Sequence, residues 1–278
     1  MPDSRLTPAR PDLAAAHLRG TVLAERFVEG DAAAIIAPSA ALMRRPDPAA
    51  PWETQALYGE AATVYEERDG FAWVQLARDD YVGYVKVDAL GAAMAPTHRV
   101  AALRTHAYAS PSIKRPHLFA LSLGARVAIA AEDGDFLVDG KGRRYWARHL
   151  AAIDSVEPDF VGVAEKFLHA PYLWGGRTSQ GIDCSGLTQA GLTAAGMAAP
   201  RDSDMLERLG SALAPDTPLA RGDLVFWNGH VGVMRDVQTL LHANGFHMAV
   251  VSEPLAIART RIAASGGGEI TSIRRLAT

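Results

Sequence analysis

The chain contains one cysteine, Cys184, in the stretch "GIDCSGLTQAGLTAAG". A lone cysteine is ordinarily a small buried hydrophobe, so its neighbours decide whether it can be a nucleophile. Asp183 is a good N-cap, and Leu187, Ala190 and Ala194 give the residues behind it an apolar helical face. This places the thiol in the first turn of a helix that ends at Gly196, a C′ glycine. There the helix dipole and unpaired N–H groups favour a thiolate and lower its pKa. The same N–H groups can donate to a developing oxyanion.

A thiol nucleophile needs a base. The stretch "GHVGVMRDVQTLLHA" reads as a hairpin. With its turn centred on Asp236, His230 and His242 become cross-strand neighbours, Cβ atoms about 4.5–5.5 Å apart. That suits His230 as base, oriented by His242 through its second ring nitrogen. Of the other histidines, His169 and His247 read as surface or packing residues. His17, His98, His106, His117 and His149 fall in the N-terminal half without an obvious partner. Zinc is the rival use of one Cys and two His, but it needs three or four ligands, and close pairs such as CxxC or HExxH are absent. The expectation is no metal and no cofactor.

These residues belong to a C-terminal region whose pattern is helices first and strands after. "EPDFVGVAEKFLHAP" has a helical stripe of Phe160, Val163, Ala164, Phe167 and Leu168, stopped by Pro171. The segments "DLVFW", "HVGVM", "TLLHAN", "MAVVSEPL" and "ITSIRRLA" read as strands, giving an α+β domain over 158–278. The region before it is β-like. "ATVYEERDGFAWVQL" predicts a hairpin turning at Asp69-Gly70, and "DYVGYVKVDAL" a strand packing Val82, Tyr84 and Val85 inward. Residues 55–74 resemble 119–138 at an offset of 64, pairing Leu57 with Leu121, Asp69 with Asp133, Gly70 with Gly134 and Val74 with Val138. A repeat of that length suits two small duplicated barrels, SH3-like, over 32–93 and 97–152. The leading segment, 1–31, predicts one short helix in "DLAAAHLRG", ending at Gly20.

Composition excludes several classes. With 28 Lys and Arg against 31 Asp and Glu the net charge is −3, which gives no basis for neutralising nucleic-acid phosphates. One cysteine rules out an intrachain disulfide. No segment has the run of apolar residues that a membrane span needs, and the N-terminal stretch lacks the apolar core of a signal peptide. The expected setting is cytoplasmic, with neither nucleic-acid nor membrane partners.

"YLWGGRTSQGIDCSGLTQAGLTAAGMAAPRDSDM", "RGDLVFWNGHVGVM" and "LLHANGFHMAVVSEPL" together resemble the NlpC-type papain-like cysteine peptidases of bacterial cell-wall metabolism. The likeness covers 158–278. It implies a papain-like domain with a Cys184–His230–His242 triad and Tyr172 at the oxyanion site. With two SH3-like barrels in front and "PRDSDM" after the nucleophile helix, the chain is similar to γ-D-glutamyl-L-diamino acid endopeptidases of the dipeptidyl-peptidase VI type. That implies a murein peptide substrate with a free N-terminal L-Ala, from which L-Ala-γ-D-Glu is released during peptide recycling. By the same likeness Asp183, Ser185, Asp202 and Ser203 hold the substrate's amine and carboxylate, and Trp174 is an apolar wall. Glu60 and Tyr81 are the matching candidates in the first barrel. A solvated turn role for Glu60, an ordinary barrel position for Tyr81 and helix capping by Asp202 or Ser203 are the alternatives. An exported wall hydrolase, a non-catalytic wall-binding protein, and an amidase or acyltransferase using the same triad are the competing functions.

Overall fold

A computed structural model describes residues 3–277; Met1, Pro2 and Thr278, the ends of the expected first and last segments, lie outside the described residues. The chain divides between Ser155 and Val156 into two compact units.

The first unit is built from short strands with one order used twice. In the first copy, neighbouring strands run Trp52–Leu57, Ser39–Met43, Val82–Lys86, Phe71–Leu76, Ala61–Arg68, Asp31–Ile35, Leu90–Ala92. The second copy follows as His117–Ser122, Arg104–Tyr108, Arg144–Trp146, Phe136–Asp139 and Ile129–Asp133. It continues through Arg126–Val127, His98–Val100 and Leu150–Ala152, so the strand that is continuous in the first copy is broken at Ala128 in the second. The first hairpin turns through Asp69 (φ 51°) and Gly70 (φ 78°), the two positive-φ positions of a type I′ turn. In the second copy Gly134 and Asp135 occupy the turn, one residue later than the sequence offset implies.

Each copy has its own apolar core. Ile35, Leu42, Val74, Leu76, Tyr81 and Val85 fill the first. Val100, Leu121, Val127 and Tyr145 fill the second, joined by Leu57 and Tyr58 from the first. At this junction Gly59 has φ 76°, and a Cβ on it would lie 2.1 Å from the Arg126 carbonyl oxygen, so only glycine fits. In the strand after the first hairpin, Gly83 and Val85 face inward while Val82 and Tyr84 are only partly buried; Tyr81, one residue earlier, is the aromatic that enters the core.

The helix expected in "DLAAAHLRG" does not form. Leu13–Ala15 is a strand paired in parallel with Arg26–Val28, and only Ala16–Leu18 makes a 3-10 turn. Sheet pairing outcompetes the local helix propensity of the alanines. This segment is strapped to the first copy by Arg10, whose guanidinium lies 4.4 Å over the Trp73 ring and donates to Tyr84 Oη at 2.7 Å.

Among the described residues the second unit holds four helices and an antiparallel sheet in the order Ser211–Ala212, Ser272–Arg275, Leu224–Trp227, His230–Met234, Thr239–Asn244, Ala249–Pro254. Helix α1, Phe160–Glu165, is capped by Asp159, whose carboxylate accepts from Val161 N. It stops well before Pro171, because the chain turns over Lys166–Ala170 with His169 at φ 69°. Helix α2, Cys184–Ala194, ends on Gly196 at φ 75°. It is buried on almost every side, with Ala190 among the few partly open positions, so it is a central element rather than an amphipathic one. Helix α3 is the single turn Ser203–Leu206. Helix α4, Leu255–Ala264, was not expected: Pro254 occupies its N-cap and no side chain caps it, which removes the usual sequence signal. Val161, Leu192, Leu206, Phe226, Val231 and Val233 form the core between α2 and the sheet. Among the described residues no helix is long and apolar enough to cross a membrane.

Candidate active site

Cys184 opens α2 at 8% exposure, a free thiol under the sheet. Asp183 holds the helix end: its Oδ1 accepts from Gly186 N at 2.7 Å and its Oδ2 from Gly175 N at 2.9 Å. Both oxygens also receive Arg201, Nη1 at 3.0 Å and Nη2 at 2.6 Å, in a two-pronged ion pair. Arg201 Nη1 donates as well to Ser185 Oγ at 2.7 Å. Arg201 is 1% exposed, and sequence reasoning missed it although it lies inside the quoted "PRDS". Its signal was the buried carboxylate at the helix N-cap, which needs a cation when taken out of water. Asp183 and Ser185, expected to hold substrate, are thus already bound to the chain's own groups.

Burial disfavours the ionised thiol. Burial, and then the Asp183 carboxylate, push Cys184 up to about 12, against the opposing pull of the Val231 and Ser185 amides and Arg201. The expectation of a lowered pKa fails because the helix end is dry and its cap is itself an anion. Tyr172 is half-buried, and burial, the neighbouring Cys184 and Asp183 raise its phenol.

His230 and His242 do meet. His230 Nε2 lies 2.8 Å from His242 Nδ1, with ring centroids 5.1 Å apart. The route differs from the expected one. Val233 pairs with Leu241 and Met234 with Leu240, so the register is two residues away from that expected and the histidines are diagonal neighbours. A two-residue shift keeps a side chain on its face, and diagonal positions lie within reach of long rings. Burial, reinforced by His242 and Arg261, brings His230 down to about 3. Burial likewise lowers His242, outweighing the opposing effect of Glu253. Burial thus disfavours the charged forms of the thiol and of both imidazoles.

His242, fully buried, is held from behind. Its Nε2 is 2.8 Å from Glu253 Oε1 and 3.1 Å from Asn244 Nδ2. Glu253 is also paired with Arg261 of α4. Burial would raise the Glu253 carboxyl, but His242 and Arg261 outweigh it and hold it below its ordinary range.

Asp202 stands at the N-cap position of α3, half-buried, but its side chain makes no capping hydrogen bond; Ser203 begins that helix. Trp174 is 66% exposed on the loop before the nucleophile. Glu60 and Tyr81 belong to the first unit and are 1% and 2% exposed. Glu60 is no solvated turn residue: Oε2 accepts from Leu57 N at 2.9 Å, and Oε1 pairs with Arg78 Nε at 2.9 Å. Not all the N-terminal histidines are unpartnered: the His106 and His117 rings lie 4.7 Å apart, and His149 Nδ1 is 3.0 Å from Thr105 Oγ1. Among the described residues no three His, Cys, Asp or Glu side chains are grouped to hold a metal ion.

Residues 42–90 match the bacterial dipeptidyl-peptidase Sh3 domain, and residues 169–263 match the NlpC/P60 family. The chain aligns with the gamma-D-glutamyl-L-lysine dipeptidyl-peptidase of Bacillus cereus at 27% identity over 202 residues, 63% of this chain and 60% of that protein. The Bacillus subtilis protein of the same name is 29% identical over 189 residues, 63% of this chain and 64% of that protein. The alignments thus span less than two thirds of these relatives' length. Among solved structures, an NlpC/P60 family protein from Bacillus cereus superposes with a TM-score of 0.72 at 21% identity. That match covers 89% of this chain and all of the other, a likeness of fold.

Proposed function

Because the chain carries an NlpC/P60 domain behind a bacterial dipeptidyl-peptidase Sh3 domain, we propose that it is a cysteine peptidase cutting the γ-D-glutamyl–diamino acid bond of murein peptides. The observation that carries the reading is the 2.8 Å contact between His230 and His242 on the sheet that covers the Cys184 helix end. The 27% and 29% identity to proteins named gamma-D-glutamyl-L-lysine dipeptidyl-peptidases supports the substrate class. In this reading the second copy of the strand order is a second SH3-like barrel, and the C-terminal unit is papain-like.

The chemistry needs a thiol nucleophile and a base oriented by a second ring. His230 Nδ1 takes the thiol proton as the Cys184 sulfur attacks the γ-carbonyl carbon of D-Glu. Negative charge moves to the carbonyl oxygen, where the Cys184 amide at the α2 terminus and the Tyr172 hydroxyl donate to it. Collapse expels the diamino acid's amine, which leaves with the proton from His230. The resulting thioester is hydrolysed by water that His230 deprotonates, regenerating the thiol. Asp202 is the carboxylate for the substrate's N-terminal ammonium, with Ser203 beside it and Trp174 as an apolar wall. Asp183 and Ser185 act through Arg201, fixing the nucleophile's helix end. Glu60 and Tyr81 serve the first barrel's own packing. The physiological role is recycling of released peptides.

The test is a pair of substrates, L-Ala-γ-D-Glu-meso-diaminopimelate and its N-acetylated form, with products read by mass spectrometry. Release of L-Ala-γ-D-Glu from the free peptide alone supports the reading. Equal cleavage of both removes the amine requirement, and cleavage of neither removes the substrate class.

A further inference from the structure

We infer that Glu253 is a positioning residue for the histidine pair, selecting the tautomer in which His230 can accept the thiol proton; this rests on the peptidase reading of the site. The contact geometry sets the proton positions. An ionised carboxylate only accepts, so the 2.8 Å contact between Glu253 Oε1 and His242 Nε2 puts a proton on that nitrogen. His242 is then an acceptor at Nδ1, and the 2.8 Å contact with His230 Nε2 puts His230's proton on Nε2. His230 Nδ1 is left with its lone pair, the form that a base requires.

The alternative arrangement is built in next door. Asn244 Nδ2 stands 3.1 Å from the same His242 Nε2. Its orientation is fixed because Asn244 Oδ1 accepts from His247 N at 2.9 Å. Without the carboxylate, that amide N–H donates to Nε2 and drives the His242 proton to Nδ1. His242 then donates to His230 Nε2, His230 carries its proton on Nδ1, and the base is blocked. Glu253 decides between two hydrogen-bond chains that run in opposite directions through the same two rings.

Glu253 is itself fixed. It is paired with Arg261, whose guanidinium lies 4.6 Å over the Phe246 ring. Helix α4, which sequence reasoning did not anticipate, thereby reaches the site through one carboxylate. The charged and titratable groups bearing on the pair are Glu253 on the neighbouring strand, Arg261 on α4 and His247 on the loop between the strands. On the α2 side stand Cys184, Asp183 and Arg201, with Tyr172 adjoining.

Cys184 is the only cysteine, so alkylation by iodoacetamide, followed by mass spectrometry from pH 5 to 9, reads it without a peptide substrate. The wild type, H230A, E253L and E253Q are compared, each with its melting temperature. One oxygen, Oε1, meets both His242 Nε2 and Arg261, so in E253Q a carbonyl oxygen held there by Arg261 still accepts from Nε2 and keeps the productive chain. In E253L no acceptor is left, and Nε2 passes to the Asn244 amide, which favours the blocked chain. E253L is expected to alkylate about tenfold more slowly at pH 7, equivalent to one pKa unit, with its profile moved toward alkaline pH and E253Q close to the wild type. A rate that depends on His230 but is unchanged in E253L overturns this proposal alone. A loss in E253L that is equal at every pH, or an equal loss in E253Q, also overturns it, since neither follows from the choice of tautomer. A rate unchanged in H230A overturns the peptidase reading and this inference with it.

Discussion

Replacing Arg201 by Met tests the buried knot that holds the nucleophile's helix. Arg201 gives Asp183 both prongs of its guanidinium, at 3.0 and 2.6 Å, and Ser185 a third hydrogen bond at 2.7 Å. Arg201 and Asp183 are 1% and 6% exposed, so the Met variant strands a carboxylate that water cannot reach. Breaking such a pair from one side costs about 3–5 kcal/mol, about a fifth or more of a typical domain's stability. For a unit of roughly 120 residues the unfolding entropy is about 0.25 kcal/mol/K, so the melting temperature falls by about 12–20 °C. Differential scanning calorimetry of the full chain at pH 7 measures it. Substituting Asp183→Asn in the same chain removes the stranded charge while keeping an oxygen for the Gly186 amide, and the double variant recovers more than half of the loss. A fall in R201M of less than about 4 °C, near 1 kcal/mol, refutes the reasoning. So does strict additivity of the two changes, because groups in contact must couple.

Two further outcomes follow from the same physical reasoning. His230 is lowered from 6.5 to about 3, so between those values the unfolded chain binds a proton that the folded chain refuses, and stability rises with pH across that window. Cys184 is raised from 9.0 to about 12, so above pH 9 the unfolded chain releases a proton that the folded chain keeps, and stability falls. Urea midpoints measured across pH should therefore form a plateau near 6.5–9, and C184A should lose the start of the alkaline descent, between pH 9 and 10, before the buried tyrosines contribute; the same descent over that interval in C184A contradicts the assignment. In the first unit, Arg10→Ala removes the guanidinium over Trp73, the bond to Tyr84 and the 2.6 Å pair with Glu66. That costs about 1–3 kcal/mol, and a denaturation midpoint equivalent to under about 0.5 kcal/mol of change would mean that the N-terminal strap is only loosely held.

The helix carrying Cys184 was legible because its signals are local: an Asp at the N-cap, apolar residues behind it, a glycine after the last turn. The hairpin beyond it was legible in face but not in register. Asp236 does not centre the turn; it begins an Asx turn, accepting from Gln238 N and Thr239 N at 2.8 Å each, and the strands pair two residues further along. The histidines still meet because strand side chains alternate with period two. Glu253 was illegible, since its place behind His242 depends on the pairing of Thr239–Asn244 with Ala249–Pro254 and on a helix without a capping residue. Arg201 and Glu60 share another cause. A charged residue in sequence looks solvated, and only the fold reveals the opposite charge that lets it be buried.

The central claim is that Cys184 attacks the substrate and carries its acyl group. Acid-quenched intact-mass and peptide mapping of the protein, seconds after mixing with L-Ala-γ-D-Glu-meso-diaminopimelate, tests it most directly. An L-Ala-γ-D-Glu adduct is expected on the peptide containing Cys184, absent in C184A together with all turnover. Turnover that persists in C184A, or an adduct confined to another residue, would contradict it.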